Sequence, residues 1–422
     1  MQIAHKILEQ AALLLKDGVF IATHRLNQTA FIRRRKLPFD RIVGSLVHLV
    51  KNSLQIVCNK LGDFFQMDQP ASKQAFSQAR LNLSYTCFQD LNDRALQTFY
   101  NEDRKGIWKG YRLFAADGST IRLPESTDTL SHFGRWDRGG ENRSENCPIV
   151  GRISEFTDIA SSLIVSAALV PWGIGEQKLA EGQLRLIVEK MRAWGEKKLL
   201  FVYDRGYPSK DFFALHHELG ADFVFRIPRS FNNQIDVLMK SDGADQILQL
   251  HEEMPPLRIS VYKLPSGEKE ALLTSLTDQK YITYEDLFEI YGMRWRAMEE
   301  GYKRQKVQLE LQNFATKSTM GILQEFWAAI YINNVIAISC YELEGPELPG
   351  HDAEYRLNRS VLFGSLREDV LKTLTSEMSA KSFLEKFSKL AARAKVPIHP
   401  GRQFSREGLG KPKRFFTMPR VC

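Results

Sequence analysis

The sequence predicts an α/β fold in which a strand-rich centre lies between helical ends, and three observations carry that prediction. Apolar residues recur at helical spacing up to about residue 90 and again through the C-terminal third. Between about 110 and 280, short alternating or continuously apolar runs replace that spacing, as strands do. At 422 residues the chain can bury a large core and divide into two or three domains.

The first unit, residues 1–95, reads as helical. Ile42, Val43, Leu46, Val47, Leu49, Val50 and Leu54 repeat at helical spacing behind a basic run, Arg33, Arg34, Arg35 and Lys36, and Pro38 suits a helix start. A further helix from about Ser72 to Leu81 is expected to expose Lys73, Gln74, Ser77, Gln78 and Arg80. Short helices with a basic face suit DNA, although an ordinary solvated face has the same composition.

From 105 to 220 the pattern is mixed. The run from Tyr111 to Gly118 reads as a strand ending in an Asp-Gly turn, with Thr120 to Leu123 as its hairpin partner. Strand-like residues from Ser162 to Val170 precede a helix from Glu176 to Trp194. The continuous apolar run from Lys198 to Tyr203 is a buried strand that delivers Asp204 at its end. Residues 221–280 turn β-rich again, with Phe223–Arg226, Leu257–Tyr262 and Ala271–Leu276 as strands. In 281–345, a long helix opens at Thr283 with Asp286 in a capping-box arrangement and is expected to pass Leu309. Phe326 to Cys340, interrupted by Asn333 and Asn334, reads as a buried helix. Residues 346–422 are helical, with a basic and flexible tail from Gly401.

The bulk numbers narrow the function classes. Fifty-eight Lys and Arg against 50 Asp and Glu give a net charge of +8, which suits a polyanionic partner without requiring one. The five cysteines form no C-x-x-C pair, so neither a zinc site nor a disulfide framework is expected. With no signal-peptide pattern and no apolar run near ~20 residues, a cytoplasmic protein with no membrane partner is expected. No phosphate-binding G-x-x-x-x-G-K-[ST] loop occurs, Gly173-Ile-Gly175 lacks the third glycine of a dinucleotide fingerprint, and no H-E-x-x-H pattern is present. His216 and His217 are expected on a helix surface.

Three acidic residues stand out by position: Asp117 and Asp204 at strand ends, and Glu299 inside a long helix. Each has a bland reading, as a turn residue, a helix cap or a surface partner of Lys303. Together, two neighbouring strands and a helix packed across their edge can gather three carboxylates. Hard divalent ions such as Mg²⁺ or Mn²⁺ prefer such oxygen ligands, and two ions about 4 Å apart can promote phosphoryl displacement. Helical spacing also places Tyr302, Lys303 and Lys306 on the face of Glu299, a mixture that suits a phosphate backbone and an unstacked base. Arg226 and Arg229, at the end of a strand, are candidate phosphate contacts. Phe231 and Tyr262 are candidate rings for a displaced base.

Here the sequence resembles a known family. Tyr291-x-x-Arg294 followed by Glu299-x6-Lys306 is similar to the Y-R-E-K signature of bacterial insertion-sequence DDE transposases of the insertion-sequence-four group. Asp117-Gly-Ser-Thr and Tyr203-Asp204-Arg-Gly-Tyr resemble that family's two aspartate motifs, and the resemblance runs from about 30 to 320. It implies an RNase H-like catalytic core (105–220 and 281–345), interrupted by a mainly β insertion (221–280), beside an N-terminal helical DNA-binding domain and a helical C-terminal region. It further implies that Asp117, Asp204 and Glu299 hold Mg²⁺, with Mn²⁺ as a substitute. Tyr291, Arg294, Arg296, Tyr302, Lys303 and Lys306 would contact DNA, as would Arg226, Arg229, Arg33, Arg34, Arg35 and Lys36. The partners implied are double-stranded DNA and a second copy in a synaptic homodimer.

One departure from the signature is local. Four residues separate Arg294 from Glu299 where the family has three, which rotates Tyr291 and Arg294 by about 100° relative to Glu299 unless a π-bulge absorbs the extra residue. Glu300 is the alternative ligand; it restores the spacing to Arg296 but loses the match to Lys306. Two rival functions remain: an RNase H-like nuclease without strand transfer, and a catalytically dead DNA-binding descendant.

Overall fold

The computed structural model describes residues 1–32, 36–48, 54–103, 105–136, 147–241, 243–250, 252, 254–264, 267–303, 313–349 and 354–398, without the side chains of 295, 296 and 298–303. Six helices lead the chain: α1 (Gln2–Leu14), α2 (Gly18–His24), α3 (Phe39–His48), α4 (Leu54–Phe64), α5 (Lys73–Leu81) and α6 (Thr86–Glu102). The centre follows as β1 (Arg112–Arg122), α7 (Thr127–Phe133), β2 (Val150–Asp158), β3 (Ile164–Pro171), α8 (Glu176–Ala193), β4 (Leu199–Tyr203), α9 (Lys210–Glu218) and β5 (Asp222–Ile227). Next come α10 (Asn233–Leu238), β6 (Asp245–Leu248), β7 (Leu257–Lys263) and β8 (Lys269–Thr274). The chain closes with α11 (Tyr284–Lys303), α12 (Thr319–Glu344), β9 (Tyr355–Leu357), α13 (Arg359–Leu374), α14 (Ala380–Arg393) and β10 (Lys395–Pro397).

Eight strands form one mixed sheet in the order β3-β2-β1-β4-β5-β8-β7-β6. β1, β2 and β3 are antiparallel, β4 runs parallel to β1, and β5 runs parallel to β4. β8, β7 and β6 continue the same sheet antiparallel, so the β-rich segment after β5 extends the central sheet.

The expected hairpin at Asp117-Gly118 does not exist. β1 runs straight through both residues, pairing Asp117 with Glu155 and Gly118 with Ser154, and its antiparallel neighbour is β2. An Asp-Gly pair favours turns locally, but a long partner strand satisfies the backbone here, and tertiary pairing overrides the propensity. The two sides of β1 separate by alternation. Leu113 and Ala115 join Leu287, Ile290, Tyr291 and Met293 of α11 in one core, whereas Phe114 and Ala116 join the larger core with Leu184 and Ile187 of α8.

α12 is the spine of the helical half, and α1, α3, α6 and α13 pack on it. It is the one described helix long and apolar enough to cross a membrane by composition, but 89% of its apolar window is buried inside the fold. The interrupting Asn334 is a cross-link: its amide donates to Asn92 Oδ1 and Ile164 O at 2.8 Å each, while its Oδ1 accepts from Ile164 N at 2.9 Å. α5 occupies Lys73–Leu81, as the sequence suggests, and the Ser72 side chain caps its start. Arg80, however, is not on an exposed basic face. It is 6% exposed and donates to Gln324, Gly321 O and Glu325 at 2.6–2.9 Å, fastening α5 to α12. A buried carboxylate partner decides this, and helical periodicity does not reveal it.

His216 likewise turns inward. It is fully buried among Phe201, Tyr203, Phe212, Phe223 and Phe225, with Nε2 3.0 Å from the Tyr203 hydroxyl. Burial pulls its pKa down to about 3, so it is a neutral core residue.

Candidate active site

Two neighbouring parallel strands bring the first two candidate carboxylates together, Asp117 within β1 and Asp204 just past the end of β4. β1 pairs with β4 in register from Arg112–Leu199 to Ala115–Val202, and extending that register two residues sets Asp117 level with Asp204. β4 ends at Tyr203, so Asp204 stands just beyond the last paired residue, with its Oδ1 accepting from Arg205 N at 2.7 Å. It does not cap α9; Ser209 does. The Asp204 side chain is 38% exposed, which leaves it open to solvent and ligands.

α11 crosses this edge, packing on both β1 and β4. Thr283 and Asp286 form the expected capping box at its start: Asp286 N donates to Thr283 Oγ1 at 3.2 Å, and Thr283 N donates to Asp286 Oδ2 at 2.7 Å. One turn further on, the Tyr291 hydroxyl donates to Asp204 Oδ1 at 3.2 Å. Arg294 is 3% exposed, with a terminal nitrogen 4.0 Å from Asp204 Oδ2 and its guanidinium 5.2 Å from the Tyr291 ring centre. Its Nε is buried with no hydrogen-bond partner among the described residues. Arg226, at the end of β5, stands 4.0 Å from Asp204 Oδ1 and binds Glu270 Oε1 of β8 at 2.6 Å. Asp204 therefore sits under a tyrosine and two arginines.

The electrostatics of Asp117 differ. Burial raises its pKa to about 6, against the lowering effects of Arg294 and of the Gly118 N–H, which donates to Oδ1 at 2.9 Å; the charges of Glu176 and Asp204 raise it further. Burial pushes the Tyr291 phenol up to about 12, so it remains a donor at neutral pH. A carboxyl disfavoured in its charged form beside a second, accessible carboxylate is a donor set that a hard divalent cation would stabilise.

The other candidates divide. The helix is α-helical without a π turn from Tyr284 to Lys303, so no bulge absorbs the extra residue before Glu299. Glu299, Glu300, Arg296, Tyr302 and Lys303 lie on this helix, but their side chains are outside the described residues, as are all of Lys306, Arg33, Arg34, Arg35 and the basic tail. Among the described residues no three His, Cys, Asp or Glu side chains converge as a metal site. Lys36 is exposed. Arg229 is held by Asp236 at 2.5 Å and makes no described contact with the Asp204 group. Tyr262 is not free to hold a base: it is 4% exposed, stacked between Tyr284 and Phe288 at 4.2 and 4.9 Å, and its hydroxyl is bonded to Tyr284 O. Phe231 packs on Phe213 at 5.9 Å.

Sequence reasoning missed Glu270, Glu176 and Tyr207. Glu270 has no sequence signal, because only the β5–β8 pairing sets it beside Arg226. Glu176 opens a helix directly after Gly173-Ile-Gly175, and Tyr207 closes the Tyr203-Asp204-Arg-Gly-Tyr motif, so both were legible as positions without a role.

Comparison with known proteins agrees with this architecture. Residues 108–333, just over half the chain, match the family described as the Transposase DDE domain. Transposase InsG for insertion sequence element IS4 of Escherichia coli (strain K12) is 22% identical over 411 residues, spanning 93% of this chain and 90% of the relative. The fold is similar to that in the piggyBac transposase synaptic complex with hairpin DNA, with a TM-score of 0.51 at 12% identity over 93% of this chain and 86% of that one. The chain belongs to the DDE transposase family, in the group of insertion-sequence transposases that includes IS4. Membership implies a nuclease and transesterase, and the family uses divalent metal ions.

Proposed function

We propose that the protein is a cut-and-paste DNA transposase that binds the terminal inverted repeats of its element, cleaves the ends and joins their 3′-hydroxyls to target DNA. The observation that carries this reading is the level placement of Asp117 and Asp204 on neighbouring parallel strands beneath the helix that bears Glu299. In this reading β1–β5 with α8, α9 and α11 form an RNase H-like core, β6–β8 are its insertion, and α1–α6 contribute the DNA-binding unit. Two copies act together because two ends must be processed.

Asp117, Asp204 and Glu299 would hold Mg²⁺, or Mn²⁺ in its place, and such ions when bound supply charge stabilisation for the attacking and leaving oxygens of an in-line displacement. The chain's own groups prepare that site. The Tyr291 hydroxyl and the Arg294 and Arg226 guanidiniums orient Asp204 and offset its charge. At ~100° per residue, Glu299 lies about 80° and Glu300 about 180° around the helix from Tyr291, which favours Glu299 as the third carboxylate. Arg296, Tyr302 and Lys303 of the same helix, and Lys306 three residues further along the sequence, would hold the phosphate backbone, with Arg33, Arg34, Arg35, Lys36 and Arg229 as outlying phosphate contacts.

The test is cleavage of a plasmid carrying the DNA that flanks the coding region. Replacing Asp117, Asp204 or Glu299 with Ala is expected to abolish Mg²⁺-dependent nicking while end binding persists; nicking retained by any one variant removes that residue from the triad. Pre-cut ends with free 3′-hydroxyls should be joined to target DNA, and cleavage without joining would make the protein a nuclease instead.

A further inference from the structure

We propose that Tyr207 and Glu176 are positioning residues that fix the separation of Asp117 and Asp204, an inference that rests on the reading of those aspartates as the metal-holding pair. The two aspartates lie on different segments, and hydrogen bonding between β1 and β4 stops at Ala115–Val202, short of both. β2 pairs with β1 through Asp117 and β5 pairs with β4 as far as Tyr203, but β1 and β4 are not paired with each other over the last two residues of register. Tyr207 is three residues past Asp204 in the same turn, its N–H donating to Asp204 O at 3.2 Å. Its ring is 2% exposed and rests 5.4 Å from Tyr203. Its hydroxyl donates to Glu176 Oε1 at 2.9 Å.

Glu176, in the first turn of α8, completes the link to the other segment. Its carboxylate lies against Gly118, immediately after Asp117: a Cβ at that position would fall 1.8 Å from Glu176 Oε1 and 2.5 Å from Cδ. Alternation along β1 turns Gly118 to the face opposite Asp117, so Glu176 braces the strand from behind while Asp117 faces α11. Arg152 Nη1, 3.7 Å from Oε2, steadies the second oxygen, and its guanidinium lies 4.6 Å from the Trp172 ring centre. The route is therefore Asp204 turn, Tyr207 hydroxyl, Glu176 carboxylate, Gly118 backbone, Asp117. Burial, reinforced by the charges of Glu176 and Asp117, pushes the Tyr207 phenol well above its ordinary range, so it is always the donor. Gly118 is required because any side chain would take the place of the carboxylate.

The test uses the full-length protein and two readouts, Mn²⁺ binding followed by electron paramagnetic resonance and the nicking rate in Mg²⁺. Tyr207→Phe and Glu176→Ala are each expected to weaken Mn²⁺ binding by about tenfold and to slow nicking by about 10–100-fold, as losses of groups that orient metal ligands do. Thermal unfolding is measured alongside. Glu176→Gln, which keeps an oxygen acceptor for Tyr207, should recover most of the loss, and Gly118→Ala should reproduce it by displacing the carboxylate. The double variant Tyr207→Phe/Glu176→Ala should be no worse than either single one, because both cut the same link. Wild-type Mn²⁺ affinity in Tyr207→Phe, or losses that multiply in the double variant, would overturn the proposal. Asp117→Asn and Asp204→Asn in the same titration separate the tie from the pair it holds. If they lose Mn²⁺ while Tyr207→Phe binds normally, only the tie fails; if they bind normally, the metal-holding pair fails.

Discussion

The start and the middle of β1 each gather carboxylates, and they treat them in opposite ways. At its start, Arg112 is fully buried and faces three acids: it donates to Asp103 Oδ2 at 3.0 Å and Glu196 Oε1 at 2.7 Å, and lies 3.7 Å from Asp158 Oδ2. Tyr100 donates to Asp158 and Tyr341 to Asp103, at 2.9 and 2.8 Å, and Gly106 O accepts from Arg112 at 3.0 Å. Five residues along, at Asp117 and Asp204, the arginines stand off at 4.0 Å and one carboxylate is open to solvent. The cluster that serves the fold is closed by direct hydrogen bonds from a buried guanidinium and two phenols. The other keeps its arginines at a distance and one carboxylate within reach of a ligand.

Removing the counter-ion at the start of β1 should have the largest effect. Arg112→Met leaves three carboxylates around an apolar side chain and is expected to cost about 3–5 kcal/mol in denaturant unfolding. A loss under ~1 kcal/mol would mean that this network is no more structural than the group at Asp117 and Asp204.

The next effect has the opposite sign. With the folded-state pKa of Asp117 raised to about 6, its proton is held more tightly in the folded chain than in the unfolded one. Its cost to stability is absent below the unfolded value near pH 4, grows as pH rises and is complete above about 6. In chelator, Asp117→Asn should therefore stabilise the protein by up to about 3 kcal/mol at pH 8 and leave it unchanged at pH 4, because a tenfold change in proton affinity on folding corresponds to about 1.4 kcal/mol. Equal stability of the two proteins at pH 8 would place Asp117 with the structural acids.

The smallest effect tests how Asp204 is oriented. Tyr291→Phe removes one hydrogen bond to a carboxylate that two arginines also approach, so stability should change by less than about 1 kcal/mol. Nicking should fall about tenfold through misorientation of Asp204. An unchanged rate would leave Tyr291 as a packing residue between α11 and β4.

Much of this was legible in the residues. The helix from about Ser72 to Leu81, the Thr283–Asp286 box and the apolar run into Asp204 each carry local chemistry that selects one conformation, and the structure has all three. The errors share a cause. Asp117-Gly118 looks like a turn, Arg80 like a surface cation and His216 like a surface histidine when only neighbours in sequence are considered. A partner strand, the acid Glu325 and a cage of aromatic rings reverse each reading, and all lie outside the local window.

The sequence by itself determined the element types, the family signature and the carboxylates worth watching, because periodicity, capping and motif spacing act over a few residues. Only the tertiary structure decided that Asp117 and Asp204 stand level, that Tyr291, Arg294 and Arg226 converge on Asp204, and that Glu176 braces Gly118. Those relations depend on strand register and helix packing across many tens of residues, and no local preference encodes them.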